Sequence, residues 1–171
     1  MYDIHVIANW ITLHSQFSFG VILIIGFIEA FTITGTFWSS FILLIVATSF
    51  HESGSALIYI CLGAGLGSFF GDNASFLLGY FLGPKIKKIS IIKKREKFLN
   101  KTEKTILKYG WIAIIIGRFT PAIRPYVPFL ASIAKMRYHV FLNSAILACT
   151  LWSLTLGIII IGIDKIIIYF N

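Results

Sequence analysis

Residues 111–134 pose the problem that the rest of the chain must solve. Two apolar blocks, WIAIIIG and FLASIA, bracket Arg118-Phe119-Thr120-Pro121-Ala122-Ile123-Arg124-Pro125-Tyr126-Val127-Pro128. Proline lacks an N–H and clashes with the preceding turn, so a helix cannot run unbroken through Pro121, Pro125 and Pro128. Non-helical backbone at bilayer depth is tolerated only where protein buries it or where it lines a wet cavity. The segment therefore predicts a broken, re-entrant hairpin that carries two arginines.

Composition supports a lipid setting. The chain is 57% hydrophobic and 13% charged, against about 25% charged residues in soluble domains. Its net charge of +8 is concentrated: ten of fifteen Lys and Arg lie between Lys85 and Lys108, opposed only by Glu96 and Glu103. Apolar spans flank this run, so it reads as a cytoplasmic orientation signal rather than a nucleic-acid site. The first twenty residues lack the basic start of a cleavable signal peptide. Cys61 and Cys149 sit in apolar stretches and read as small core residues, not as a disulfide or metal pair.

These features divide a single membrane domain, 1–171. Residues 1–19 show a polar stripe, His5, Asn9, Thr12 and Gln16, at helical spacing, which predicts an amphipathic interfacial helix. Residues 20–50 are apolar but interrupted at Thr32-Ile33-Thr34-Gly35-Thr36 by weak helix formers. The two arms, each of about 12–15 residues, fall short of the roughly 20 needed to cross. They predict a first re-entrant hairpin, with Glu29 in its first arm. Residues 54–83 predict a transmembrane helix ended by Gly83-Pro84, with Gly63, Gly67 and Gly71 spaced for close helix approach. Residues 85–108 form the basic cytoplasmic segment, 111–134 the second hairpin, and 138–163 a second transmembrane helix, followed by a short interfacial tail. Trp10, Trp38, Trp111 and Trp152 read as interface anchors. His5, His14, His51 and His139 have no metal-ligand spacing.

The pattern of hairpin then long helix occurs twice. With the basic segment inside, the first hairpin dips in from outside. Lys135 and Arg137 return the second to the cytoplasm. The fold class expected is an all-α polytopic membrane protein built as an inverted repeat, an architecture used by transporters.

Glu29, Asp72, Arg118 and Arg124 are charges in apolar or broken-helix surroundings. Each costs at least about 2.5–3.5 kcal/mol at bilayer centre, so two acids and two bases are expected to pair. One reading is that the pairs only lock the hairpins together. The other is a polar cavity in which the arginines bind a phosphate and Glu29 and Asp72, desolvated, take up protons. Thr32, Thr34, Asn73, Ser75, Thr120 and Pro121 are the candidate cavity lining. Ser68 is a further hydrogen-bonding candidate, and local helix hydrogen bonding is the simpler role for these hydroxyls and amides. No nucleophile–base pair, P-loop or dinucleotide fingerprint is present, so no enzyme, metal or cofactor is expected.

Two motifs carry a family resemblance. Gly67-Ser68-Phe69-Phe70-Gly71-Asp72, continuing to Gly79-Tyr80-Phe81-Leu82-Gly83, and Gly117-Arg118-Phe119-Thr120-Pro121-Ala122-Ile123-Arg124 resemble the two motifs of the DedA family (VTT domain, SNARE-associated membrane proteins). Lys135-Met136, Phe141, Asn143 and Trp152 continue the second, and Glu29 matches the acidic residue of the first hairpin. The resemblance implies a multi-pass protein of the bacterial inner membrane with opposed re-entrant hairpins. It implies a flippase for undecaprenyl phosphate, the anionic isoprenoid carrier lipid, with proton-motive-force dependence and a role in membrane homeostasis. Glu29, Asp72, Arg118 and Arg124 are the functional residues it implies. Eukaryotic relatives scramble phospholipids, which keeps a scramblase as an alternative. A proton-coupled exporter of small cations, a non-transporting structural protein and, disfavoured for want of a catalytic constellation, a lipid-modifying enzyme are the others. Expected partners are membrane lipids and protons, without nucleic acid; a homo-oligomer stays open. The chain departs from the family in lacking a proline in the first hairpin turn.

Overall fold

A computed structural model describes residues 17–37, 40–86, 104–106, 108–120 and 123–170, side chains of 83–86 and 167–170 excepted. The described residues form helices and turns, without strands. Helix α1 spans Ser18–Ala30 and ends where Phe31 turns extended (φ −70°, ψ 128°). Thr32–Gly35 then make one helical turn, α2, and α3 spans Ser40–Glu52. The first hairpin is therefore broken on both sides of the Thr-Ile-Thr-Gly stretch rather than within it. Two threonines hold the turn in place: Thr36 Oγ1 donates within it to Thr32 O at 2.7 Å, and Thr34 Oγ1 donates back to Ile28 O of α1 at 2.5 Å.

Gly54, at φ +90°, reverses the chain into α4, Leu57–Ile86. This helix has 30 residues, about 45 Å at 1.5 Å per residue. It runs through Gly83-Pro84, which was expected to end it. A proline removes one ladder bond, and here the helix continues for two more residues. Helix α5, Trp111–Arg118, follows Gly110 at φ +56°. A 3-10 turn at Arg124–Tyr126 leads into α6, Val127–Ile133. Helix α7, Tyr138–Phe170, has 33 residues. It continues past Asp164 and Lys165, so the expected interfacial tail is helical through Phe170. The amphipathic stretch before residue 17 and most of the basic segment lie outside the described residues.

Among the described residues one helix, Tyr138–Ile166, is both long and apolar enough to cross a membrane. Only 28% of its apolar window is buried inside the protein, so most of it faces outward. Helix α4 has the length, but Gly, Asp and Asn in its middle keep it below that apolarity. Outward-facing Phe41, Ile45, Tyr80, Phe81, Leu154 and Ile158 leave an apolar exterior of the kind a soluble monomer does not sustain.

The interior holds two apolar cores. Ile22, Leu43, Ala47 and Phe50 of the first hairpin pack with Ile60 and Ala64 of α4 and Leu156 and Ile160 of α7. Ala113, Ile114, Val127, Phe129 and Leu130 of the second hairpin pack with Phe76 of α4 and Phe141 and Ala145 of α7. Each long helix thus serves both cores, one at either end. The glycine stripe sets the first contact. A Cβ on Gly63 would lie 2.8 Å from the Phe19 carbonyl oxygen, and one on Gly71 2.7 Å from that of Phe27, while one on Gly67 would collide with Leu23 O. Three glycines four residues apart therefore meet three α1 carbonyls in the same register. Gly79 plays the same part against α6, where a Cβ would come within 2.6 Å of Phe129 O.

Candidate functional site

The helix breaks deliver charge to the layer between the two cores. Glu29 lies in the last turn of α1, Arg118 closes α5, and Arg124 opens the 3-10 turn. Pro125 follows Arg124 in a first-turn position, where a missing N–H costs nothing. Asp72 sits in the middle of α4, between Ala64 of one core and Phe76 of the other. All four are buried, at 3% exposure for Glu29 and Asp72, 4% for Arg118 and 5% for Arg124.

They form two ion pairs. Arg118 Nη1 donates to Asp72 Oδ2, and Arg124 Nη1 donates to Glu29 Oε1. Arg124 Nη1 also lies 3.1 Å from Ser40 Oγ at the start of α3. Its guanidinium carbon stands 4.3 Å from the centroid of the Trp152 ring on α7, and Phe119 meets that ring edge-on at 6.2 Å. Cys149, one turn before Trp152, places Sγ 3.6 Å from Asp72 Oδ2. Helices α1, α3, α4, α5 and α7 thus each supply a contact or a charge to it.

The pairing is incomplete in a specific way. Each arginine uses Nη1, and in both the Nε and Nη2 groups are buried without a hydrogen-bond partner, as is Glu29 Oε2. Nε and Nη2 form one edge of the guanidinium plane, the edge that binds two oxygens side by side. Leaving buried donors unpaired is costly, about 1–3 kcal/mol each and more for charged groups. Asp72, Arg118 and Arg124, with Ile114, Val127 and Pro128, line one small crevice with room for about one water molecule. At this crevice the hairpin tips meet and the opposite charges pair.

The remaining expected residues divide. Thr32 is at the junction: its Oγ1 donates to Pro125 O at 2.6 Å and its N–H donates to Ser75 Oγ at 2.8 Å. Ser75 passes that bond on to Gly71 O at 2.9 Å. Asn73 lies beside the layer, donating to Phe69 O at 2.8 Å and accepting from Tyr138 OH at 3.0 Å. Thr34 and Thr120 are exposed, Thr34 donating back to Ile28 O of α1 and Thr120 to Ile116 O of α5, and neither is among the residues lining the crevice. Pro121 lies outside the described residues. Ser68 is fully buried with no partner for Oγ. His139 is exposed and His51 faces Ser55 O at 3.4 Å, while His5 and His14 fall outside the described residues. Among the described residues no three His, Cys, Asp or Glu side chains come together as a metal site.

Three participants were not foreseen: Ser40, Cys149 and Trp152. Trp152 was expected at a membrane interface; it lies instead midway along α7, against Arg124. Cys149 and Trp152 stand three apart on one helical face, a spacing shared by any pair of core residues and so without a signal of its own. Trp111, by contrast, is half exposed. Trp10 and Trp38 lie outside the described residues.

An all-helical chain with an apolar exterior and a buried layer of paired charges is a membrane protein with an ionic centre. More narrowly, the chain belongs to the VTT domain family, which residues 12–161 match, and thus to the DedA proteins. It is 26% identical over 147 residues to the inner membrane protein YabI of Escherichia coli K12, covering 85% of this chain and 58% of that one. It is 27% identical over 147 residues to an uncharacterized membrane protein of Buchnera aphidicola from Acyrthosiphon pisum, covering 85% and 57%. Protein DedA of Escherichia coli K12 is 32% identical over 85 residues, 49% of this chain and 39% of that one. The chain therefore spans somewhat more than half the length of YabI and of the Buchnera protein. No solved structure matches it.

Proposed function

We propose that this chain moves a phosphate-bearing lipid across the membrane, with undecaprenyl phosphate as the first substrate. The observation that carries the reading is the pair of unpartnered, buried Nε/Nη2 edges on Arg118 and Arg124, two residues that line one crevice. Two such edges offer four donors. A phosphate monoester presents three terminal oxygens and can share one between the two forks; a phosphodiester presents only two. The donor set thus favours a monoester lipid over the phospholipids a scramblase would move. A small cation would meet two arginines, which disfavours a cation exporter.

Within this reading the hairpins are re-entrant, one from each face, and form an inverted repeat. Their packing against opposite ends of α4 and α7 supports that arrangement. The basic segment 85–108 faces the cytoplasm, and the inner membrane is the site, as the name of YabI suggests. Glu29 and Asp72 hold the arginines while no phosphate is bound. When phosphate displaces them, the two carboxylates lose their partners, and they are the groups through which protons would be coupled to the step. The protein acts as a transporter, not an enzyme, and its partners are lipid and protons.

The test is reconstitution into liposomes with labelled undecaprenyl phosphate in one set and labelled phosphatidylglycerol in another, at two values of pH. The monoester is expected to flip faster, and Arg118→Ala and Arg124→Ala to abolish the difference. Rates equal to protein-free liposomes for both lipids would remove the proposal. A purely structural role has one observation in its favour, the closure of both ion pairs, and the paired substitutions described below separate it from transport.

A further inference from the structure

The four charges account for each other, but the lipid-transport reading requires Arg124 to let go of Glu29 and still stay in place. We infer that Trp152 is the positioning residue that makes this exchange workable. Arg124 is held in its plane by Glu29 and Ser40, both through Nη1. Trp152 holds it through its face, at 4.3 Å from the ring centroid. A contact to the face uses no N–H. It therefore survives when the in-plane partners change and leaves the whole Nε/Nη2 edge to an incoming oxygen. Phe119 braces the indole edge-on from the end of α5, and Cys149, one turn away on α7, lies against Asp72. One face of α7 thus touches both ion pairs. The indole Nε1–H is buried without an acceptor, which fits a ring placed for its face rather than for its hydrogen bond.

The inference rests in part on the transport reading, and two measurements keep them apart. The first needs no transport: thermal unfolding in detergent of a cycle combining Trp152→Leu with removal of the pair by Glu29→Gln and Arg124→Met. Trp152→Leu is expected to lower Tm by more in the wild-type chain than in the chain without the pair, because only the former loses the platform under a cation. Equal drops would overturn the inference. The second is the dependence of flipping rate on undecaprenyl phosphate concentration. Trp152→Leu is expected to raise the half-saturating concentration about tenfold, more than it lowers the maximal rate, and Trp152→Phe, which keeps a ring face, to recover most of that. An unchanged half-saturating concentration in Trp152→Leu would also overturn it. If the wild-type chain moves no lipid at all, the transport reading fails by itself and the unfolding cycle alone decides the role of Trp152.

Discussion

Thr32 and Pro125 lie 93 positions apart in the chain, and the hydroxyl of one donates to the carbonyl of the other at 2.6 Å. This bond ties the tip of the first hairpin to the tip of the second. Thr32→Val keeps the shape and removes the donor, leaving a buried carbonyl unpaired. The expected loss is about 1–3 kcal/mol, read as a lower Tm in detergent, with Thr32→Ser restoring most of it. An unchanged Tm in Thr32→Val would show that the tips are held without this bond.

The ion pairs separate stability from transport. Asp72→Leu leaves Arg118 buried without its acid and is expected to destabilise by about 3–5 kcal/mol. The double change Asp72→Leu with Arg118→Leu removes both charges and is expected to recover most of that stability while flipping stays absent. Unfolding and liposome flipping are measured on the same preparations. A double variant that flips lipid at the wild-type rate would assign the charges to assembly alone.

The glycine stripe has a built-in control. Gly67→Ala drives a Cβ into the Leu23 carbonyl, whereas Gly20 in α1 and Gly162 in α7 have nothing within 4 Å of that position. Gly67→Ala is expected to cost about 1–3 kcal/mol through forced separation of α1 and α4. Gly20→Ala and Gly162→Ala are expected to be neutral or to stabilise by up to about 1 kcal/mol, since alanine restricts the unfolded chain. Thermal unfolding of the three side by side makes the comparison.

The proposed opposite insertion of the hairpins predicts labelling from opposite sides. In a chain with Cys61→Ala and Cys149→Ala, Ser53→Cys between α3 and α4 is expected to react with an impermeant maleimide added outside cells. Arg137→Cys before α7 is expected to react only after the membrane is opened. Labelling of both from the same side would rule out the inverted arrangement.

What could be read from residues alone was whatever violates its surroundings. Glu29, Asp72, Arg118 and Arg124 are conspicuous because lipid-facing sequence has no use for them, and opposite charges in lipid must find each other. The prolines announced the break in the second hairpin, and the glycine spacing announced a close helix contact. The first hairpin was harder. Threonine can end a helix or sustain one by donating to its carbonyls; Thr36 does the latter and Thr34 ties the short turn back to α1, so the breaks fall to either side. Helix ends were misjudged for a related reason: Pro84 and the pair Asp164-Lys165 are compatible with stopping but do not compel it. Trp152 stood out only as a continuation of the second motif and as an interface anchor, because an indole within an apolar span looks the same whether it faces lipid or a guanidinium. Only the rotation of α7, set by distant packing at Phe141 and Leu156, decides which.

Since α4 and α7 each run the length of both cores, neither end of the molecule owns its scaffold. Loosening Ile22 and Phe50 from one end of these two helices leaves the grip of Phe129 and Leu130 on the other end intact, and the reverse holds as well. For the proposed transport this would make a canal lock, with two gates hung on common walls and the charged layer as the chamber between them. Opening one gate at a time would need no hinge in the walls.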